Sequence, residues 1–488
     1  MGPKICIIGA GFSGMAAAIQ IRKQLGLTDF VMFDENEDVG GTWLVNKYPG
    51  CACDVASHLY SFSFEPNTDW SQQYSSQPEI LRYLQKVAKK HDLYRNIKFN
   101  HKVNKLTWEE NISKWRVVVY NKRSKMESEV IFDVIISGIG SLRIPNIPDE
   151  FATFKGTRMH SAEWDTSVKL EGKSVAIVGS GASAVQIIPS IAKKVERLVV
   201  YQRHPAWVVP RMQFKIPEFL KWSFESLPGV RGLYRSYIFL NHEFVYPAFK
   251  QGSLFQKIGK ILSEFFVNHQ LGHNPELMEK VKPNYEFGCK RITPSNIYYP
   301  ALALPHVEVV RREITKVKEN SIVTEDGKEE KVDVLILATG FNVQDFFFPL
   351  EIKVKNGVDL MQLWKKEGPA AYKGICCSAA PNLFHLLGPN SSLGHNSVVF
   401  LLECQVDYVV QIIRELMERE ASVVCVKESV EGNYMAQLLK AMEGTVWASG
   451  CGSWYTDHRG VVTALNPYCL SSCWLQLRKF NSNDYNFH

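Results

Sequence analysis

Residues 4–25 read KICIIGAGFSGMAAAIQIRKQL and residues 30–34 read FVMFD, and the order of their elements decides the fold. The apolar run Lys4–Ile8 predicts a buried strand, Met15–Leu25 a helix, and Phe30–Phe33 a second strand parallel to the first. Gly9, Gly11 and Gly14 stand between strand and helix in the spacing G-x-G-x-x-G. The first glycine makes the tight turn, the second lets backbone amides approach a pyrophosphate, and the third lets helix and strand pack closely. The helix N-terminus then faces the phosphate charge. Asp34 closes the second strand, twenty residues past Gly14. A carboxylate there accepts hydrogen bonds from ribose hydroxyls. Together these residues predict a dinucleotide cradle.

The same grammar returns far downstream. Strand Ser174–Val178 leads through Gly179-x-Gly181-x-x-Ala184 into a helix over Val185–Ala192, and Arg197–Tyr201 reads as the next strand. Pro189 predicts a kink or an early end to that helix. No carboxylate closes this second unit; Tyr201-Gln202-Arg203 stands there instead. A guanidinium suits a 2′-phosphate and lacks the acceptor that a free 2′-hydroxyl needs, so this cradle predicts NADPH. The spacing repeats while the residues do not, which means two copies of one architecture rather than an array.

A chain of 488 residues exceeds what one hydrophobic core spans, so two or three domains are expected. Hydrophobic residues at 45% and charged residues at 22% are those of a globular protein. The net charge of +6 carries no basic block, which argues against a nucleic-acid partner. No run of eighteen apolar residues is present, so no membrane span is expected. The apolar start reads as a strand entering a helix rather than a signal peptide. The eleven cysteines are scattered without a C-x-x-C pair. That pattern predicts reduced thiols in a cytoplasmic compartment and no disulfide framework. Cys51 and Cys53 form C-x-C, whose bridge would be strained, so they are read as packing residues, as are Cys376, Cys377, Cys469 and Cys473. The thirteen histidines show no ligand spacing, and no metal is expected.

Further apolar runs, Asp133–Ser137 and Val332–Leu337, read as strands returning to a sheet. Leu142–Asp149 carries Pro145 and Pro148 and marks a domain boundary. The expected class is α/β, with two Rossmann-like dinucleotide-binding domains and a helical insertion. The first nucleotide domain takes residues 1–150 and 336–488, the second 151–213 and 281–335, and the insertion 214–280. Within the insertion, Leu254, Ile258, Leu262 and Phe265 form a helical stripe expected to pack on the body of the protein. Lys250, Lys257 and Lys260 are expected to form a solvated face. The tail from about Asp484 is expected to fray.

The stretch GGTWLVNKYPGCACDV (Gly40–Val55) resembles the segment after the FAD unit in class B flavin monooxygenases of the Baeyer–Villiger type. FKGTRMHSAEWD (Phe154–Asp165) resembles that group's fingerprint, F-x-G-x-x-x-H-x-x-x-W-D. YQRHPAWVVPR (Tyr201–Arg211), GCKRITPS (Gly288–Ser295), ATGF (Ala338–Phe341), LLGPNSSLGHNS (Leu386–Ser397) and GCGSWYTDHRG (Gly450–Gly460) follow in order. The resemblance implies FAD in the first cradle, held by Gly9, Gly11, Gly14, Asp34, Thr42, Trp43, Asp54, Tyr60 and Val103. It implies NADPH in the second, held by Gly179, Gly181, Ala184, Arg203 and Lys290. Arg291 would sit over the flavin with Asp54 paired to it, and His160 would join them in the catalytic set. His160 and Trp164 would couple nucleotide binding to domain rotation. Three departures stand out: Asp34 for glutamate, His204 where threonine or serine is usual, and Asn466 for tryptophan in TALNPYCLSSCW.

The implied activity is an NADPH- and O2-dependent oxidation of a ketone or aldehyde to an ester or lactone through a C4a-peroxyflavin. A fixed cation beside that anion would stabilise it, and Arg291 is permanently charged. Lys290 and Arg291, neighbours on an extended segment, would point to different partners. The competing readings are an N- or S-oxygenating flavin monooxygenase, a flavin disulfide reductase, which the missing C-x-x-C disfavours, and a non-catalytic flavoprotein. Walls of the substrate pocket are expected from the insertion and the C-terminal segment. Substrate identity and oligomeric state are not encoded in these motifs.

Overall fold

The computed structural model describes residues 2–488. Strand β1 (Ile5–Ile8), helix α1 (Phe12–Leu25) and strand β2 (Phe30–Phe33) form the first βαβ unit. Every residue of β1 is buried, as a parallel strand covered on both faces must be. It pairs in parallel with β2 on one side and with Val134–Ser137 on the other. Ala380–His385 extends this sheet beyond Val134–Ser137. The alanine run Ala16–Ala18 is buried and lets α1 lie close against the long helix Val398–Glu418. A four-stranded sheet built from His101–Glu109, Lys114–Asn121, Met126–Phe132 and Glu351–Lys353 flanks the unit.

The second unit is β3 (Ser174–Val178), α2 (Ala182–Ile191) and β4 (Arg197–Tyr201). Its five-stranded parallel sheet runs Val307–Val310, β4, β3, Val334–Leu337, Thr157–His160. The domain boundary expected between 335 and 336 therefore cuts a strand, and this sheet extends to Leu337. Pro189 does not end α2 where expected. The helix runs on to Ile191, and the Ala192 N–H bonds the Ile188 carbonyl at 2.9 Å. Pro189 falls in the last turn, where its missing N–H removes only one helical bond.

Gly14 shows how tightly the first unit is built. A Cβ added there would lie 1.8 Å from the Gly9 carbonyl oxygen, which is backbone and has no rotamer to yield. We expect Gly14→Ala to cost about 3 kcal/mol or more by forcing α1 off β1. Thermal melting and the flavin content of the purified protein check this; an unchanged melt with full flavin would contradict it.

Two further expectations fail. The tail is not frayed: Tyr485–Phe487 pairs antiparallel with Val424–Val426, and the buried Tyr485 hydroxyl meets Tyr408 at 3.1 Å. The insertion forms helices α3 (Glu218–Ser226), α4 (Val230–Val245) and α5 (Leu254–Leu271), but the stripe Leu254, Ile258, Leu262, Phe265 points to solvent. The inward face of α5 is Gln256, Ser263, Phe266 and Val267 instead. Gln256 and Ser263 reach Glu286 and the Val208 carbonyl while Phe266, Val267 and Leu271 pack into the core, so this second face and not the expected stripe orients the helix.

Candidate functional site

A single cavity of about 1370 Å³ runs past both glycine turns. Gly9, Gly11, Asp34, Thr42, Trp43, Asp54, Tyr60 and Val103 line its first half. Gly179, Gly181, Arg203, Lys290 and Arg291 line the second. Gly14 and Ala184 lie behind the wall, consistent with packing positions. The residues gathered here come from segments more than two hundred residues apart, so the site exists only once both units are docked.

At the first turn, Asp34 is buried and accepts the Ala10 N–H at 2.7 Å and the Asn36 N–H at 2.8 Å. Burial raises its pKa, and these bonds pull it back. Trp43 opens from the short helix Thr42–Val45, and its indole N–H donates to the Tyr60 hydroxyl at 3.3 Å. At the second turn, Gly179 has φ 123°, and a Cβ there would lie 2.3 Å from the Ala338 carbonyl oxygen. Only glycine lets that backbone pass. No side chain fills the space in front of Gly181, the N-cap of α2.

Beside the second turn the structure gathers cations without an acid to meet them. Burial and then the nearby Arg203 guanidinium lower the Lys290 pKa. Burial lowers the His204 pKa as well, and Lys290, Arg203 and Arg311 add to it. Among the described residues none of Arg203, Lys290 and Arg311 makes a salt bridge. The arrangement is a seat for an anion of high charge density. Lys290 rests its ammonium 4.9 Å from the Tyr285 ring centre.

Its chain neighbour Arg291 turns the other way. Arg291 Nη2 and Nε both donate to Asp54 Oδ2, at 2.6 and 3.1 Å. Burial alone would raise the Asp54 carboxyl, but the Arg291 charge and its hydrogen bonds outweigh that, and Asp54 sits below the ordinary carboxylate range. Arg291 in turn is held above its usual value, chiefly by Asp54. The sign for stability follows. A depressed carboxyl pKa stabilises the fold above its unfolded-state value and loses that contribution as pH falls through the folded one. The difference in melting temperature between the native protein and Asp54→Asn is expected to stay constant between about pH 5 and 8 and to shrink below about pH 4. A difference that already closes near neutrality would contradict the ion pair.

Sequence reasoning missed several neighbours of this pair. Arg211 donates to the Cys53 carbonyl at 3.0 Å, lies 5.2 Å from the Tyr74 ring centre, and adds its charge to the field on Asp54. Tyr455 is buried in the same wall; burial pushes its pKa up to about 12, so it stays a neutral phenol. Gln186 on α2 accepts from the Tyr48 hydroxyl at 2.9 Å and donates to the Ala52 carbonyl at 3.0 Å, tying the two nucleotide units together. Arg211 and Tyr455 stood inside quoted motifs, whereas nothing around Gln186 signalled a role.

Three expectations need correction here. His160, placed in the catalytic set, does not line the cavity. It ends the strand Thr157–His160, is buried, and accepts the Ala162 N–H on Nδ1 at 3.1 Å. Burial lowers its pKa, and its ring meets Phe341 edge-on at 5.8 Å. The thiol expectation fails at one pair: Cys289 and Cys451 are joined by a disulfide across 162 residues, a spacing no local motif reveals. The bridge ties the Lys290-Arg291 segment to the loop carrying Trp454 and Tyr455; the other nine cysteines are free. Finally, no residue of 214–280 lines the cavity. The C-terminal segment contributes from behind: Asn466 is buried and bonds Asn390 and Ser392, backing the wall at Ser392.

With the geometry in place, comparison with known proteins narrows its meaning. The flavin-binding monooxygenase-like family profile matches residues 2–224. A Baeyer-Villiger monooxygenase of Pseudomonas aeruginosa is 39% identical over 455 residues, covering 93% of this chain and 85% of its own. A second, from Streptomyces coelicolor, is 35% identical over 489 residues, covering 99% and 92%. Among solved structures, OTEMO in complex with FAD and NADP superposes with a TM-score of 0.88 at 25% identity, covering all of both chains. An oxidized steroid monooxygenase bound to NADP gives 0.84 at 26%, covering 100% and 99%.

Proposed function

The chain belongs to the Baeyer–Villiger monooxygenase family of flavin-dependent NADPH monooxygenases, and we propose that it oxidises a ketone or aldehyde to an ester or lactone. One ketone, one O2, one NADPH and one proton give one ester, one water and NADP+. The observation that carries this reading is the Arg291–Asp54 pair, a fixed cation in a cavity flanked by both nucleotide turns. Held beside Asp34, Trp43 and Tyr60, a bound FAD would supply the redox chemistry that passes electrons from NADPH to O2.

We assign FAD to the unit of residues 1–150 with 338–488, and NADPH to 151–213 with 281–337. Two features of the chain fit these cofactors. The backbone passages at Gly9, Gly14 and Gly179 leave no room for a side chain. The uncompensated cations Arg203, Lys290 and Arg311 suit a 2′-phosphate. Asp34 would hold the flavin-side ribose, and Thr42, Trp43, Tyr60 and Val103 would wall the ring system.

Arg291 stabilises negative charge as it develops at the reacting oxygen, and its fork lets one face serve the substrate while Asp54 holds the other. Asp54 fixes the guanidinium plane. Tyr455, kept neutral, adds a polar group to the wall without a second charge. His160 acts from outside the cavity, at the strand end beside Phe341, where it supports the approach of the two units.

Offering the purified holoenzyme a panel of ketones and a thioether side by side, with NADPH and O2, tests the reading. Ester formation from a ketone is the expected product. Exclusive formation of sulfoxide would move the chain to heteroatom oxygenation, and oxygen-independent NADPH consumption driven by a disulfide would move it to a reductase.

A further inference from the structure

The helical insertion is built inside out. Among the described residues, sixteen of twenty-eight exposed large hydrophobic side chains fall between Met212 and Phe265. On α4 the exposed stripe is Leu233 (73%), Tyr237, Leu240 and Phe244 (70%); on α5 it is Leu254 (68%), Ile258, Ile261, Leu262 and Phe265 (69%). Phe244 and Phe255 meet edge-on at 5.4 Å and join the two stripes into one surface. Phe219 and Trp222 extend it along α3.

Several polar groups of the same helices point inward, beside the buried Phe224, Ile238, Phe266 and Val267. Arg235 lies 3.6 Å from Glu403, and Glu243 accepts from Asn396 at 2.9 Å and from the Ser471 N–H at 2.9 Å. His242 bonds the His395 carbonyl, and on α5 Gln256 and Ser263 are satisfied inside. A helix in water shows the opposite arrangement. This surface is made for an apolar neighbour, and its charges say which one. Within 214–280, Lys215, Arg231, Lys250, Lys257 and Lys260 carry no salt bridge among the described residues, against Glu225, Glu264 and Glu279 as the free acids. Lys257 and Lys260 alternate with Ile258 and Ile261 on one turn. Lysine is depleted where proteins meet proteins, and two copies pressed together here would oppose like charges. At a bilayer the same lysine lays its stem along the acyl chains and lifts its ammonium to the phosphates.

We propose that the outer face of α3, α4 and α5 docks in the plane of an anionic phospholipid membrane, leaving the nucleotide cavity outside it. No helix is long and apolar enough to cross, so the contact lies on the surface. Co-sedimentation of the holoenzyme with phosphatidylcholine vesicles, with and without phosphatidylserine, tests this.

Sedimentation with the serine-containing vesicles, weakened by salt, is expected. Lys257→Ala with Lys260→Ala lowers that partition by roughly fivefold per lysine. Leu240→Gln with Leu262→Gln lowers it by about tenfold or more. NADPH oxidation equal to the native rate in both variants shows that they fold. Absence of vesicle binding by the folded native protein overturns the proposal. Equal binding to neutral vesicles overturns its anionic part. A dimer that Leu240→Gln with Leu262→Gln dissociates, in a protein that ignores vesicles, assigns the face to a second copy instead.

Discussion

Arg291→Ala lowers ester formation by about a hundredfold to a thousandfold while the protein stays yellow and still consumes NADPH. Arg291 hydrogen-bonds only Asp54, and Gln186 still ties the two nucleotide units through Tyr48 and Ala52, so the variant is expected to fold with some loss of stability. What disappears is the cation that lines the cavity beside Asp54; Arg211, which donates to the Cys53 carbonyl, does not line the cavity and cannot take its place. Electrons from NADPH then leave as hydrogen peroxide, one per NADPH and O2, rather than as ester and water. Arg291→Lys keeps the charge but loses the fork, and an intermediate rate is expected. Product chromatography together with a peroxide assay checks both variants. Undiminished ester from Arg291→Ala would remove the assignment.

The second large effect is on cofactor choice. Arg203→Ala combined with Lys290→Ala is expected to raise the KM for NADPH by about a hundredfold or more and to leave the KM for NADH nearly unchanged. Each charge-assisted bond to a phosphate contributes about 1.5 to 3 kcal/mol, or roughly tenfold to hundredfold. Burial is the main cause of the lowered Lys290 and His204 pKa values, and the neighbouring cations lower them further, a repulsion that a phosphate relieves. Equal shifts for both coenzymes would mean that the pair supports the fold and does not read the 2′-position. Burial and then the neighbouring cations lower the pKa of His204, which replaces the usual hydroxyl residue.

Local patterns were legible and distant contacts were not. The strands Phe30–Phe33, Ser174–Val178 and Arg197–Tyr201 fall where their apolar runs predict, because a buried parallel strand needs an unbroken apolar stretch and little else. Both glycine turns are legible for the same reason. The Arg291–Asp54 contact spans 237 residues, and only the family resemblance pointed to it. His160 matched its motif but stands behind the wall, since a motif fixes a position in the chain and not the direction in which a side chain faces. The α5 stripe was read with the right period and the wrong side: periodicity shows that a helix has an apolar face, and what covers that face is decided elsewhere. Pro189 falls in the last turn of α2, where it removes only one helical bond, and the polar tail near Tyr485 gives no local sign of its strand partner Val424–Val426.

The most direct test of the central reading supplies isotopically heavy O2 to the holoenzyme with NADPH and a panel of ketones, and follows the ester by mass spectrometry. The prediction is one heavy oxygen atom per ester molecule, one NADPH consumed for each, and loss of that product in Arg291→Ala. An ester carrying no heavy oxygen, or an equal yield of labelled ester from Arg291→Ala, would contradict it.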